Sequence, residues 1–370
     1  MSASVSAAGG PANLPARPSL RILMVLAAGS VLVAALGVEG LVRVRQYLRY
    51  GAAGTNTYAT TIDPATRLTI PTPGQTTPRI HIDSRGFRNP ELEVPKPAGR
   101  IRVAFLGAST TFCAEVSNNE TTWPHLVTEK LRQQWPGKSF DYVNAGVPGW
   151  GVSHSQRNLE TRVKPLAPDV IVIYHAINDL SKDTRELAER QGIVRGSVDQ
   201  PSWLGRYSVT WFLIEKNLQV ISRQRQAGDG AGRHLTFEPR SLSAGFEQRL
   251  TSLVRSAKAI APVVAMATFS QKLRRNQPPA EQLRAANTHL YYMPYMTVDG
   301  LLTALDEYNR VIKETARAHG AVLIEDEESI PGDDIHFNDS VHFKDAGSRL
   351  MAERITKVLI PSQIVRNFPK

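Results

Sequence analysis

At 370 residues the chain is longer than one ordinary domain and shorter than three. Apolar residues make up 42% and charged residues 21%, enough for a substantial core and too little charge for a disordered chain. The net charge of +10 fits a solvated basic surface, or attraction to anionic lipid or acidic polysaccharide. No basic run interleaved with aromatics and no zinc spacing appears, so nucleic acid is not an expected partner. A single cysteine, Cys113, excludes an internal disulfide and a Cys-rich metal site.

Residues 1–21 form an Ala/Ser/Gly/Pro-rich tail. Residues 22–42 follow, about 20 largely apolar positions interrupted by Glu39, near the length that spans a bilayer. A cleaved signal peptide is the alternative, but no convincing cleavage pattern accompanies Ala34-Ala35-Leu36-Gly37. Arg17 and Arg21 flank one side and Arg43, Arg45 and Arg49 the other, so positive charge does not fix orientation. The short tail points to a signal anchor with the large C-terminal part exported, on the periplasmic side. Residues 43–99 are expected to be a juxtamembrane linker or irregular layer, with a short strand and turn over 80–88 packed on the main domain.

From Arg100 the pattern changes. Apolar runs at 101–106, 140–144, 169–174, 263–268 and 321–324 predict five strands. Helical patterns occupy 122–134, 153–163, 241–259, 298–318 and 349–359. The alternation predicts an α/β domain over 100–362, a parallel sheet covered on both faces. Two insertions follow strand ends. One, at about 180–240, contains Trp203, Tyr207, Trp211 and Phe212; the other, at about 270–297, contains Tyr291, Tyr292 and Tyr295. Both are candidate lids or substrate walls, or satellite core.

In an open parallel sheet, ligands sit beyond the C-terminal strand ends. There the first strand delivers Gly107-Ala108-Ser109-Thr110-Thr111, the second Asn144-Ala145-Gly146, and the third His175-Ala176-Ile177-Asn178-Asp179. The fifth leads to Asp339-Ser340-Val341-His342. A serine hydroxyl needs a base to become a nucleophile, and His342 oriented by Asp339 can supply one. The backbone N–H groups of Ser109 and Gly146 and the amide of Asn178 are suitable donors for an oxyanion. Alone, each motif is usually a cap or a turn; the four in this order point to acyl-transfer chemistry. Asp333 and His336 form a rival Asp-x-x-His, and His342 is preferred because Gly347, Leu350, Met351 and Ile355 follow it on a helix. Cys113 reads as small core on the helix after Ser109, and His175 as a packed histidine.

These blocks, G-A-S-T-T, N-A-G-V-P-G, A-I-N-D and D-S-V-H, resemble those of the SGNH hydrolases, the GDSL-type esterase superfamily, across about residues 100–360. The resemblance implies a flavodoxin-like three-layer α/β/α fold and hydrolysis or transfer of ester-linked acyl groups, with no metal or cofactor. It makes Ser109 the nucleophile, Gly146 and Asn178 completers of the oxyanion hole, and Asp339 and His342 the rest of a triad. Two departures stand out: Ala108 where the family has Asp, and Ala176 where it has Gly. The expected function is a membrane-anchored serine esterase working through an acyl-enzyme, on a carbohydrate or lipid ester such as acetyl on envelope or secreted polysaccharide. O-acyl transfer onto a glycan, a lipid-directed esterase or thioesterase, and a non-catalytic envelope scaffold are the competing readings.

Overall fold

The computed structural model describes residues 19–50, 54, 59–194, 202–229 and 233–361. The N-terminal tail up to residue 18, part of the expected linker and the stretches 195–201 and 230–232 of the first insertion lie outside the described residues.

Five strands build one parallel sheet: β3 (Arg100–Gly107), β4 (Ser139–Asn144), β5 (Val170–Tyr174), β6 (Val263–Ala267) and β7 (Val322–Ile324), ordered β4-β3-β5-β6-β7. Each lies within about a residue of its expected run. The central strand β5, Val-Ile-Val-Ile-Tyr, is buried throughout, as β-branched residues between two helical layers should be. Helices α3 (Trp123–Gln134) and α12 (Asp345–Leu359) pack together on one face. The other face is covered by α4 (Val152–Asn158), α5 (Ile177–Arg190), α8 (Pro239–Ile260) and α11 (Val298–Ala318). The result is the expected three-layer α/β/α sandwich.

The strand order reverses at β3, which has β4 on one side and β5 on the other. Register aligns Phe105 with Asn144 and Gly107 with Tyr174, so three strands end together. The crevice beyond them is where such a sheet offers a site.

Several elements depart from expectation. The helix expected over 153–163 is α-helical only to Asn158, then widens over Leu159–Val163 and tightens over Lys164–Leu166. Pro165 lacks the N–H that would continue the helix. Helix α12 begins at Asp345, four residues earlier than expected, with that carboxylate in the first turn, where the helix dipole favours it. Residues 180–190 are the body of α5, and α8 starts at Pro239, so the first insertion is confined between them. It holds α6 (Trp203–Tyr207) and α7 (Val209–Asp229). The second insertion holds α9 (Pro279–Ala285) and α10 (Asn287–Tyr292), and its Leu290, Met293, Tyr295 and Met296 join the main core.

Before the sheet, α1 (Leu20–Tyr50) runs past the expected apolar stretch, and it is the one helix among the described residues long and apolar enough to cross a membrane. A hairpin of β1 (Thr60–Ile62) and β2 (Thr69–Pro71) follows. Leu68 and Ile70 pack with Val147 and Trp150, and Ile80 and Ile82 with Phe112 and Ala114. This layer therefore rests against the loops that leave β3 and β4.

Candidate active site

Ser109 opens a four-residue helix, α2 (Ser109–Phe112), immediately beyond β3. Its geometry depends on Gly107, where an added Cβ would lie 1.9 Å from Thr111 Oγ1 and 2.9 Å from the Tyr174 carbonyl. The helix ends at Cys113, whose left-handed backbone (φ 61°) accepts no further turn. Cys113 is thus a buried terminator of this turn rather than a residue on a longer helix. Burial pushes its thiol up to about 12, against a weaker opposing pull from Arg88, so it stays protonated. Ala108 occupies the N-cap and offers no side-chain acceptor. The N–H groups of Ser109 and Thr110 consequently have no acceptor among the described residues.

His342 arrives from the other end of the chain on a small hairpin. Phe337 and Phe343 pair across it as an antiparallel bridge, with ring centroids 5.1 Å apart and both side chains buried. At the tip Asp339 Oδ1 accepts the N–H groups of Val341 and His342, each at 2.9 Å. Its second oxygen lies 2.8 Å from His342 Nδ1, and His342 Nε2 lies 2.8 Å from Ser109 Oγ. Burial alone would raise the Asp339 pKa, but the imidazole and the two N–H groups more than offset it and hold the carboxylate well below its usual range. Burial disfavours the charged imidazole of His342, yet the Asp339 charge and hydrogen bond outweigh it and raise the pKa.

The rival pair makes the same set of contacts, all of them to one carboxylate oxygen. Asp333 Oδ1 lies 2.7 Å from His336 Nδ1 and accepts the N–H groups of Ile335 and His336. The Phe337–Phe343 bridge sets His336 and His342 at opposite ends of the hairpin, and it is His342 that meets Ser109. His175 is packed: its Nε2 lies 2.8 Å from Ser155 Oγ, and burial pushes its pKa down to about 3.

Gly146 and Asn178 stand beyond β4 and β5. An added Cβ at Gly146 would lie 2.6 Å from Phe112 N and 2.9 Å from the Ala108 carbonyl, so the loop touches the Ser109 turn directly. The Gly146 N–H donates to Asn144 Oδ1 at 3.1 Å, so this expected donor is engaged inside the loop. Asn178 donates one amide hydrogen to the Trp150 carbonyl at 2.9 Å and retains a second. Its neighbour Asp179 accepts from Val152 N–H at 3.0 Å and from Arg249 Nε at 3.0 Å. The third block therefore clamps the loop of the second. Ala176 has φ −168°, outside the left-handed region that would favour glycine.

Around these groups run bracing contacts that no motif in the sequence states. Asn144 Nδ2 donates to the Thr111 carbonyl at 3.0 Å, and Asn89 Oδ1 accepts from Asn144 N–H at 3.1 Å. Fully buried Arg88 donates to the carbonyls of Phe112 (2.8 Å) and Cys113 (2.6 Å). Ser117 N–H donates to Asp345 Oδ1 at 2.8 Å, tying the segment after Ser109 to the helix after His342. Ser340, between Asp339 and His342, takes the Lys272 N–H on its carbonyl (2.8 Å) and the Thr288 N–H on its hydroxyl (2.9 Å). The second insertion thus holds the His342 loop, and it buries His289 within electrostatic reach of Asp339 and His342. Among the described residues no three His, Cys, Asp or Glu side chains group as metal ligands.

Solved structures resemble the chain at low identity. The acetylxylan esterase Axe2 from Geobacillus stearothermophilus is 17% identical with a TM-score of 0.43, over 72% of this chain and 97% of that one. LAE5, an α/β hydrolase from the metagenome of Lake Arreo, Spain, is 15% identical with a TM-score of 0.42, over 70% and 94%. The acetyl xylan esterase AlAXEase is 16% identical with a TM-score of 0.42, over 70% and 98%. No curated protein matches. A model of the GDSL-like lipase/acylhydrolase family matches residues 105–350, more than half of the chain and a span that encloses Ser109, Gly146, Asn178, Asp339 and His342. The chain belongs to this family, within the SGNH hydrolase superfamily, and is a hydrolase acting on ester bonds.

Proposed function

We propose that the chain is a membrane-anchored serine esterase that removes an acyl group, acetyl on envelope or secreted polysaccharide, through an acyl-enzyme. The observation that carries this reading is the unbroken contact from Ser109 Oγ to His342 Nε2 (2.8 Å) and from His342 Nδ1 to Asp339 Oδ2 (2.8 Å). His342 Nε2 takes the proton as Ser109 Oγ attacks the carbonyl carbon, and Asp339 stabilises the imidazolium. The oxyanion receives the Ser109 N–H and the second amide hydrogen of Asn178. The Gly146 N–H joins by turning from Asn144 Oδ1. His342 returns the proton to the departing alcohol oxygen. A water deprotonated by the same nitrogen then splits the acyl-serine, releasing the acid and restoring the hydroxyl.

In this reading residues 22–42 are the anchor and 100–362 the catalytic domain, facing the periplasm. The long apolar α1 and the large part of the chain that follows it support that arrangement. Full-length protein in detergent should hydrolyse a small chromogenic acetate, release acetate from an acetylated polysaccharide, and carry a fluorophosphonate adduct on Ser109. Equal hydrolysis by Ser109→Ala overturns the assignment.

A further inference from the structure

Helices α6 and α7 carry apolar surface that no described residue covers. Trp203, Leu204 and Tyr207 of α6 are exposed, with Trp203 71% and Tyr207 70% accessible. On α7, Trp211, Ile214, Leu218 and Ile221 are exposed at spacings of three and four residues, which puts them on one face of the helix. The opposite face holds half-buried Phe212, Leu213 and Val220, and Lys216, whose Nζ lies 5.4 Å from the Tyr291 ring of α10. A helix apolar on both sides calls for two apolar partners, and the described residues supply one of them.

The second partner is indicated by where the helices attach. Glu39, near the C-terminal end of the apolar run of α1, caps α7: it accepts the N–H groups of Val209 (2.8 Å) and Thr210 (3.0 Å) and the hydroxyl of Ser208 (2.8 Å). Arg43, paired with Glu39, donates to the Tyr207 carbonyl at 2.7 Å. The exposed face is therefore tied to α1 at the level where its apolar run ends. Tyr and Trp are the residues that favour the headgroup layer of a bilayer, and exposed Arg206 and Arg225 suit anionic lipid.

Resting on the reading of α1 as a membrane anchor, we propose that α6 and α7 lie in the interfacial layer of the same bilayer, with Trp203, Tyr207, Trp211, Leu218 and Ile221 immersed. Because α7 packs against α10 in the insertion that holds the His342 loop, this contact fixes the site close to the membrane surface.

The test uses the full chain in phosphatidylcholine/phosphatidylglycerol vesicles, part of whose lipid is brominated high on the acyl chains. Helix α1 contains no tryptophan, Trp123 and Trp150 are buried in the domain, and Trp135 is packed on the core. Bromolipid should quench the wild-type fluorescence, and the double substitution Trp203→Phe/Trp211→Phe should abolish that quenching. Protein that fails to float with the vesicles overturns both the anchor and this contact. Protein that floats, with tryptophans that bromolipid leaves unquenched, retains the anchor and overturns the interfacial contact alone.

Discussion

The guanidinium of Arg88 closes the short helix that Ser109 opens, donating to the carbonyl oxygens of Phe112 and Cys113. It also reaches the Arg79 carbonyl at 3.1 Å and Asn119 Oδ1 at 2.9 Å. A residue from the layer ahead of the sheet thus satisfies helix-end carbonyls beneath the proposed nucleophile. Arg88→Met keeps the aliphatic bulk and leaves these acceptors without their donor. It should cost about 3 kcal/mol and lower the apparent melting temperature by roughly 10 °C. An unchanged melting curve would sink this account of Arg88.

The two Asp-x-x-His pairs predict opposite outcomes. His342→Ala removes the base in contact with Ser109 and should lower kcat by at least ~10³-fold on a short acyl ester. His336→Ala removes an imidazole that is paired with Asp333 in its own turn and should leave kcat near wild type. The reverse pattern in steady-state kinetics would reassign the base.

The strands were legible because parallel strands buried on both faces are continuous apolar runs, and β5 is nothing else. The placement of Ser109, Gly146 and Asn178 beyond neighbouring strand ends was legible because β3, β4 and β5 run parallel and end together. Asp333–His336 and Asp339–His342 are locally alike, and what separates them is the Phe337–Phe343 pairing, a register that spacing alone does not state. The bracing roles of Arg88, Asn89 and Asn144 were invisible for a related reason. A polar residue bracing a carbonyl 24 or more positions away leaves no periodic trace, and before the fold is known it reads as loop.

The acid limb of activity follows from the Asp339–His342 contact. The Asp339 carboxylate raises the His342 pKa, so the neutral, proton-accepting form becomes the major one at a higher pH than for an ordinary imidazole. Accordingly the acid limb of kcat/KM should lie at higher pH than that of an unpaired histidine. Asp339→Asn removes the charge that raises the pKa and leaves the burial that lowers it. The limb should then move to lower pH while kcat falls by up to ~10⁴-fold. A pH–rate profile whose acid limb stays fixed in Asp339→Asn would show that a different group titrates.

Gly146 meets the Ser109 turn so closely that a methyl cannot enter without moving backbone, since its neighbours would be Phe112 N, Thr111 Cβ at 2.8 Å and the Ala108 carbonyl. Gly146→Ala should destabilise by about 1–3 kcal/mol. Displacing the turn by even an ångström should also cost about 10²-fold in kcat. Thermal melts and single-turnover rates check the two effects separately. Native stability together with native turnover would mean that the loop relaxes freely.

Asn178 has two jobs in the proposed mechanism, and they are separable. One amide hydrogen holds the Trp150 carbonyl, while Asp179 beside it holds Val152 N–H, so the loop keeps a clamp when Asn178 is removed. The other hydrogen is the proposed oxyanion donor. Loss of such a donor lowers kcat by ~10²–10³-fold with little change in KM, because the charge it meets develops only in the transition state. Asn178→Ala should therefore show a large fall in kcat, a small change in KM and a modest drop in melting temperature. A raised KM and a marked drop in melting temperature with kcat retained would make Asn178 a loop brace only. The oxyanion would then depend on Ser109 N–H and on Gly146 N–H released from Asn144 Oδ1.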